Sequence, residues 1–237
     1  MTSPHVLTNF KMTKIPVPAN LNLSNNKSND QVPTPYPIGK IGSLDYYVFR
    51  NDDFIKRNPS GPKSPDYYLS YGDKYAKRFT LETKPALSPE GGVWLEKAKR
   101  NLQIAIENRL NAIHPDAATF EKRNNGNNFK DFAFDSHVPA YWDAGLYKLS
   151  TLDLVKIGLT PDFKDLETDE GMRQVERIGL KFKDYWLEHP IDFARRSGEA
   201  ILNKDQIELL IAEKVAREAI SSAAFHRFFH SITRITL

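Results

Sequence analysis

The placement of proline constrains this chain more than any other feature. Nine of the fifteen prolines lie between Pro4 and Pro65, and the first glutamate is Glu82. Because proline lacks a backbone N–H and has a fixed φ, a stretch this rich in proline does not continue as a helix. We therefore expect residues 1–62 to form an extended, mostly irregular arm and residues 63–237 to form an α-helical domain. The predicted fold class is all-α, a single helical globular domain preceded by this arm.

Composition within the arm supports an extended conformation. The segment Asn20–Asp30 is rich in asparagine and serine and has too few apolar side chains to offset the entropy of ordering. Pro33, Pro35 and Pro37 alternate with other residues, which favours a polyproline-like stretch. A short run of aromatic and β-branched residues, Tyr46–Phe49, is the one strand predicted in the chain.

Helix signals recur from Ser64 onward. Ser88 followed by Pro89 is typical of a helix N-terminus, and an apolar residue follows at nearly every turn from Trp94 to Leu110. These signals predict a helix over about 89–112. Further helix starts are predicted at Ser64-Pro65, Ser150 or Thr151, Thr160–Asp162, Thr168–Glu170 and Asn203. After the first of these, four aromatic residues at helical spacing are predicted to face the core: Tyr68, Tyr71, Tyr75 and Phe79.

Charge and composition exclude several classes of protein. Residues 1–65 contain six lysines, two arginines and four aspartates, a formal charge of +4, whereas the remaining residues carry −1. A balanced helical domain is not typical of a nucleic-acid binder. The chain has no cysteine, which excludes disulfides and thiolate sites. No apolar run approaches the ~20 residues of a membrane span, and we expect neither membrane insertion nor a classical secretory signal.

The densest mixture of polar and aromatic residues is the segment 132–145, FAFDSHVPAYWDAG. Histidine can act as a base near neutral pH and a carboxylate can orient it, so we predict Asp135, His137 and Asp143 as catalytic residues. Tyr141 and Trp142 are the predicted substrate-binding residues, because their rings offer a stacking wall. The alternative is that Asp135 or Ser136 caps the turn, His137 forms a local hydrogen bond, and Tyr141 and Trp142 fill the core.

A second candidate is a pair of histidines. His226 and His230 are four residues apart and share one face of a predicted helix, as metal ligands often do. Arg227 occupies the position of the glutamate in the zinc-protease motif, and no third ligand is evident. We therefore expect no metal and no cofactor.

Two functional hypotheses remain, from different classes. The first is a small bacterial effector or toxin-like protein delivered by a specialised secretion machine, with hydrolysis as the activity considered; it would be cytoplasmic before delivery and then secreted by a non-classical route. The second is a noncatalytic assembly or adaptor protein whose arm docks on a partner subunit. Both predict a protein partner, whether a secretion component, a cognate inhibitor or an assembly subunit, and neither involves nucleic acid or a membrane span.

Overall fold

The computed structural model describes residues 32–61, 63–113, 117–122 and 129–221. These residues form helices and turns without a β-strand, so the predicted all-α class is confirmed. The predictions for residues 1–31 and for His226 and His230 lie outside the described residues. The α-helices are α1 (Tyr46–Arg57), α2 (Lys74–Arg78), α3 (Pro89–Ala112), α4 (Ala117–Lys122), α5 (Phe129–Asp135), α6 (His137–Asp143), α7 (Thr151–Gly158), α8 (Phe163–Leu166), α9 (Asp169–Glu188), α10 (Pro190–Leu202) and α11 (Lys204–Glu218).

Helix α3 organises the core, and its bounds match the sequence prediction. Ser88 caps it, because its hydroxyl accepts a hydrogen bond from the Gly91 N–H at 3.1 Å. Its N-terminal half packs into one hydrophobic cluster and its C-terminal half into another. The first core contains Tyr36, Ile41, Tyr46, Tyr47, Tyr67, Tyr68, Ile106, Leu110, Ala117, Phe120, Phe129, Ala133 and Phe134. The second core contains Trp94, Leu95, Ala98, Ala144, Leu146, Leu149, Ile157 and Phe182.

The predicted strand at Tyr46–Phe49 was wrong, because these residues begin α1. The buried face of α1 carries Arg50, Asp53 and Arg57 alongside its aromatic residues. Arg57 pairs with Asp53 at 2.8 Å and with Glu121 of α4 at 2.9 Å. Because the inward face carries charges while Val48 and Ile55 are exposed, the apolar residues of α1 do not mark its buried face in sequence.

Residues 32–57, predicted as part of the arm, pack against α3. The backbone N–H of Tyr36 donates to Glu107 at 3.2 Å, and that of Gly42 donates to Gln103 at 2.6 Å. The hydroxyl of Tyr46 donates to Glu107 at 2.7 Å. This part of the chain therefore belongs to the first core.

The aromatic stripe after Ser64 lies in a wider helix than predicted. Tyr67–Asp73 and Phe79–Thr83 are π-helical and flank the short α2. Ser64 does not act as a cap, since its buried hydroxyl has no hydrogen-bond partner. Gly72 meets α1 so closely that an added Cβ would lie 2.5 Å from Tyr47 Cδ1. Only glycine fits at this contact between the first π-helical segment and α1.

In the described part of the chain, the helices α9, α10 and α11 follow the second core, to which α9 contributes Phe182. Thr168 caps α9 by accepting from the Gly171 N–H at 3.1 Å, as its sequence position predicts. The α9–α10 break falls at His189-Pro190, where the missing N–H of proline ends the helix. Within the described ranges, no helix is long and apolar enough to cross a membrane.

Candidate functional site

The junction between α5 and α6 is built by side chains that bond back to the preceding turn. Ser136 Oγ donates to the Ala133 carbonyl at 2.7 Å, and His137 Nδ1 lies 2.7 Å from the same oxygen and 3.2 Å from the Phe134 carbonyl. Because a carbonyl only accepts, Nδ1 carries the proton of the neutral imidazole. The polar residues of this segment thus satisfy the backbone where α5 ends.

His137 is 3 % exposed and surrounded by aromatic rings. Its ring centroid lies 5.4 Å from that of Tyr141, 5.6 Å from Phe134 and 6.0 Å from Tyr71. Burial lowers the pKa of His137 to about 4, against the opposing effect of the two backbone hydrogen bonds. The side chain is therefore neutral at pH 7 and a weak base.

The two predicted catalytic carboxylates lie apart from this imidazole. Asp135 is exposed and forms an ion pair with Arg177 of α9. Asp143 is exposed at the end of α6. In the part of the chain that the structure describes, no hydrogen bond or ion pair joins His137 to either carboxylate. The acid–base prediction for these three residues stays a prediction without a supporting contact.

The two predicted binding residues point to different environments. The Tyr141 ring packs inward against Trp94 at 5.5 Å, and its backbone carbonyl accepts from the Trp94 indole N–H at 3.0 Å. The Trp142 ring instead packs against Tyr147 at 5.2 Å and Tyr185 at 6.0 Å, on the outer side of the second core. Trp142 therefore has surface neighbours that Tyr141 lacks.

These neighbours form an open depression, which we call the aromatic hollow. It is shallow and open to solvent, and it is lined by Trp142, Asp143, Tyr147, Tyr185 and His189. Tyr185 and His189 stack with centroids 4.1 Å apart and planes 15° from parallel. Their spacing of four residues on α9 is visible in sequence, but the meeting of α9 with α6 is not. Sequence reasoning therefore found Trp142 and Asp143 and missed the other three.

The charges at the rim of the hollow are of both signs. Lys181 Nζ lies 5.2 Å from the Trp142 ring centroid, and Lys148 Nζ lies 5.5 Å from that of Tyr147. Asp143 has no ion-pair partner among the described residues. The hydroxyl of Tyr185 donates to Asp192 at 2.6 Å, which raises the pKa of Tyr185. This arrangement suits stacking and hydrogen bonding better than proton transfer.

Asp135 lies in a second, smaller cleft between α5 and α9. Ion pairs fill its rim: Asp135 with Arg177, and Lys130 with Glu170 at 2.8 Å. Exposed pairs of this kind hold helices together weakly. The cleft thus has the character of a packing contact between two helices.

Metal chemistry and known relatives add no further site. Within residues 32–61, 63–113, 117–122 and 129–221, no group of three or more histidine, aspartate or glutamate side chains is arranged to hold a metal ion. Comparison with protein-family models, with curated proteins and with solved structures finds no match to this chain.

Proposed function

We propose that this chain is a noncatalytic assembly or adaptor protein that binds a partner subunit at the corner where α9 meets α10. The observation that carries the proposal is the exposure of Leu187 and Ile191, 74 % and 84 %, on either side of the His189-Pro190 break. Single exposed leucines are common on protein surfaces. Here two such side chains lie close in sequence at one break between helices, and Phe193 of α10 is exposed as well, at 42 %. We call Leu187, Ile191 and Phe193 the α9–α10 corner.

The chemistry of the corner defines its partner. Apolar side chains ringed by polar residues are typical of protein–protein interfaces. Positively and negatively charged side chains follow the corner on α10, where Arg195 forms ion pairs with Asp192 and Glu199. The partner is therefore a folded protein that presents an apolar surface. A stable contact buries about 800 Å² on each side, so it extends beyond the corner itself.

The hydrolytic effector hypothesis has less support from the same residues. A general base works within hydrogen-bond reach of the proton it removes and with a pKa near the working pH. His137 is buried and has a pKa of about 4. The delivery hypothesis depends chiefly on residues 1–31, which lie outside the described residues. Effector activity and secretion thus stay predictions, and the adaptor function is the one we adopt.

The test compares two matched double variants of the full chain. Leu187→Ser with Ile191→Ser removes the corner, and Leu81→Ser with Val93→Ser removes two side chains that are 64 % and 56 % exposed elsewhere. A partner captured by the wild-type chain should be purified and its affinity measured for each variant. We expect the corner variant to bind at least about tenfold more weakly, since interface affinity is concentrated in a few apolar residues. Equal affinity of the corner variant and the control would refute the proposal.

A further inference from the structure

The aromatic hollow has the features of a site for an extended, proline-bearing peptide. Proline rings pack on the faces of tryptophan and tyrosine in aromatic grooves, and the polyproline II backbone leaves its carbonyls free to accept hydrogen bonds. The hollow offers the rings of Trp142, Tyr147 and Tyr185. Among the described residues, the Trp142 indole N–H and the Tyr147 hydroxyl make no hydrogen bond. Both donors are therefore available to peptide carbonyls.

The negative charge of Asp143 at the rim of the hollow favours peptides that carry a lysine near their prolines. Asp143 is an exposed carboxylate without an ion-pair partner in the described residues, and it adjoins Trp142 directly. A peptide with a lysine close to its prolines would place an ammonium group near this carboxylate. The amines of Lys148 and Lys181 already lie over ring faces of the hollow, which shows that these faces accept cations. Their side chains are exposed and can move aside.

One segment of this chain has that composition. Residues 14–18 read Lys-Ile-Pro-Val-Pro, and Lys11 lies three residues earlier. It is the one Pro-x-Pro sequence within residues 1–31. The later prolines around Tyr36 are not available, because Tyr36 is buried in the first core. Residues 14–18 are therefore the segment of this chain whose composition fits the aromatic hollow.

The length of the chain allows this contact within one molecule. Pro18 is fourteen residues from Val32, where the described structure begins. At about 3.3 to 3.6 Å per residue, this stretch spans up to roughly 46 to 50 Å. A domain of this size has a radius of gyration of about 16 Å. A tethered segment also has an effective concentration in the millimolar range, which exceeds that of a second copy in dilute solution.

We propose that the aromatic hollow binds the chain's own segment Lys14–Pro18, with its prolines on the rings and Lys14 near Asp143. This contact is separate from the α9–α10 corner, so it does not depend on the assembly function. It goes beyond that function because it gives the N-terminal segment a binding site on the domain itself.

Photo-crosslinking of the full chain tests the contact. The photoreactive residue p-benzoylphenylalanine replaces Val17, and in a control chain it replaces Leu23. Equal amounts of unlabelled and ¹⁵N-labelled chains are mixed before irradiation, and crosslinked peptides are identified by mass spectrometry. We expect crosslinks from position 17 to the peptides that contain Trp142 or Tyr185, with both peptides carrying the same isotope. The control position should give fewer crosslinks to these peptides.

Three variants decide the outcome. Pro16→Ser with Pro18→Ser changes only the segment and leaves the described fold intact; it should lower the crosslink yield several-fold. Asp143→Asn removes the carboxylate proposed to pair with Lys14, so the crosslink yield of this variant should no longer depend on salt concentration. Trp142→Ala should lower the crosslink yield, provided that its melting temperature shows that the domain is folded. An unchanged yield in the double proline variant, crosslinks to other surfaces, or crosslinks of mixed isotope would each overturn the proposal. The corner variant should crosslink like the wild type, which separates this test from that of the assembly function.

Discussion

The first core and the helices α10 and α11 both bury charged side chains, but the first core also buries its large apolar residues, whereas α10 and α11 expose theirs. In the first core, charged groups lie inside and are paired: Glu121 accepts from Arg57 at 2.9 Å and from Tyr68 at 2.7 Å. In α10 and α11 the buried side chains are Arg196 and Lys214 alone, while several large aliphatic residues face solvent. The exposed large hydrophobic residues on these helices are Ile191, Phe193, Ile201, Leu202 and Leu209. The first core therefore encloses most of its large apolar side chains, whereas α10 and α11 leave theirs exposed within the described part of the chain.

Polar contacts at helix ends attach these last helices. Glu199 of α10 accepts from the Thr151 N–H at 3.1 Å, at the N-terminus of α7. Glu218 of α11 accepts from the Phe163 N–H at 2.7 Å, at the N-terminus of α8. Carboxylates are favourable at helix N-termini because the free N–H groups there carry partial positive charge. The comparison thus predicts a strong first core and a weakly attached C-terminal region.

The largest effect is expected from Glu121→Ala. This change removes the acceptor shared by Arg57 and Tyr68 and leaves buried donors unpaired, at a cost of about 3 to 5 kcal/mol in the free energy of unfolding. Urea unfolding at pH 7 measures the loss. The control is Glu208→Ala, which removes an exposed ion pair with Lys204 on α11 and should change stability by less than about 0.5 kcal/mol. Equal losses in the two variants would contradict the contrast between the regions.

A second prediction concerns the pH dependence at His137. In the unfolded chain this imidazole titrates near its ordinary pKa of 6.5, and in the folded protein burial lowers the pKa to about 4. Between these values the unfolded chain takes up a proton that the folded chain does not. The stabilisation is therefore complete above pH 6.5 and is lost as the pH falls to 4, by about 3 kcal/mol.

The measurement is the free energy of unfolding at pH 7 and at pH 4.5. In His137→Gln the part of the pH dependence that belongs to this group should disappear, while the amide can still donate to the Ala133 carbonyl. A His137→Gln profile identical to that of the wild type would show that this imidazole is not buried as described.

The smallest expected effect is that of Glu218→Ala. Loss of its hydrogen bond to the Phe163 N–H and of its ion pair with Lys214 should cost about 1.5 to 3 kcal/mol, because the acceptor is charged. Hydrogen exchange should show the loss as lower protection of α11, with the protection of α3 unchanged. Uniform loss of protection across both helices would mean that α11 unfolds together with the core, and the two regions would then be one cooperative unit.

Local signals predicted much of this fold. The caps at Ser88, Ser150 and Thr168 are confirmed, since each hydroxyl accepts the N–H three residues on. Such bonds depend only on neighbours in sequence. Helix α1 was missed because its inward charges pair with Glu107 and Glu121, which are distant in the chain.

The candidate site shows the same limit. Trp142 and Asp143 are evident in sequence as an aromatic residue beside a carboxylate. Tyr147 joins them through the turn that follows α6, whereas Tyr185 joins them only because α9 packs across α6, and no spacing rule predicts that second contact. The acid–base hypothesis for His137 depended on residue types that the fold uses to satisfy the backbone at the end of α5. The composition of the segment did not show that the His137 side chain is buried.

The pairing of α1 with α4 also has a consequence during synthesis. Arg57 and Glu121 are 64 residues apart, so at 5 to 20 residues per second roughly 3 to 13 s separate their emergence from the ribosome. During that interval the guanidinium group of Arg57 lacks its partner in α4 and stays hydrated, and α3 becomes available to pack against α1 only in the later part of it. Slower translation between these two codons lengthens the time in which the nascent segment is open to chaperones or to aggregation.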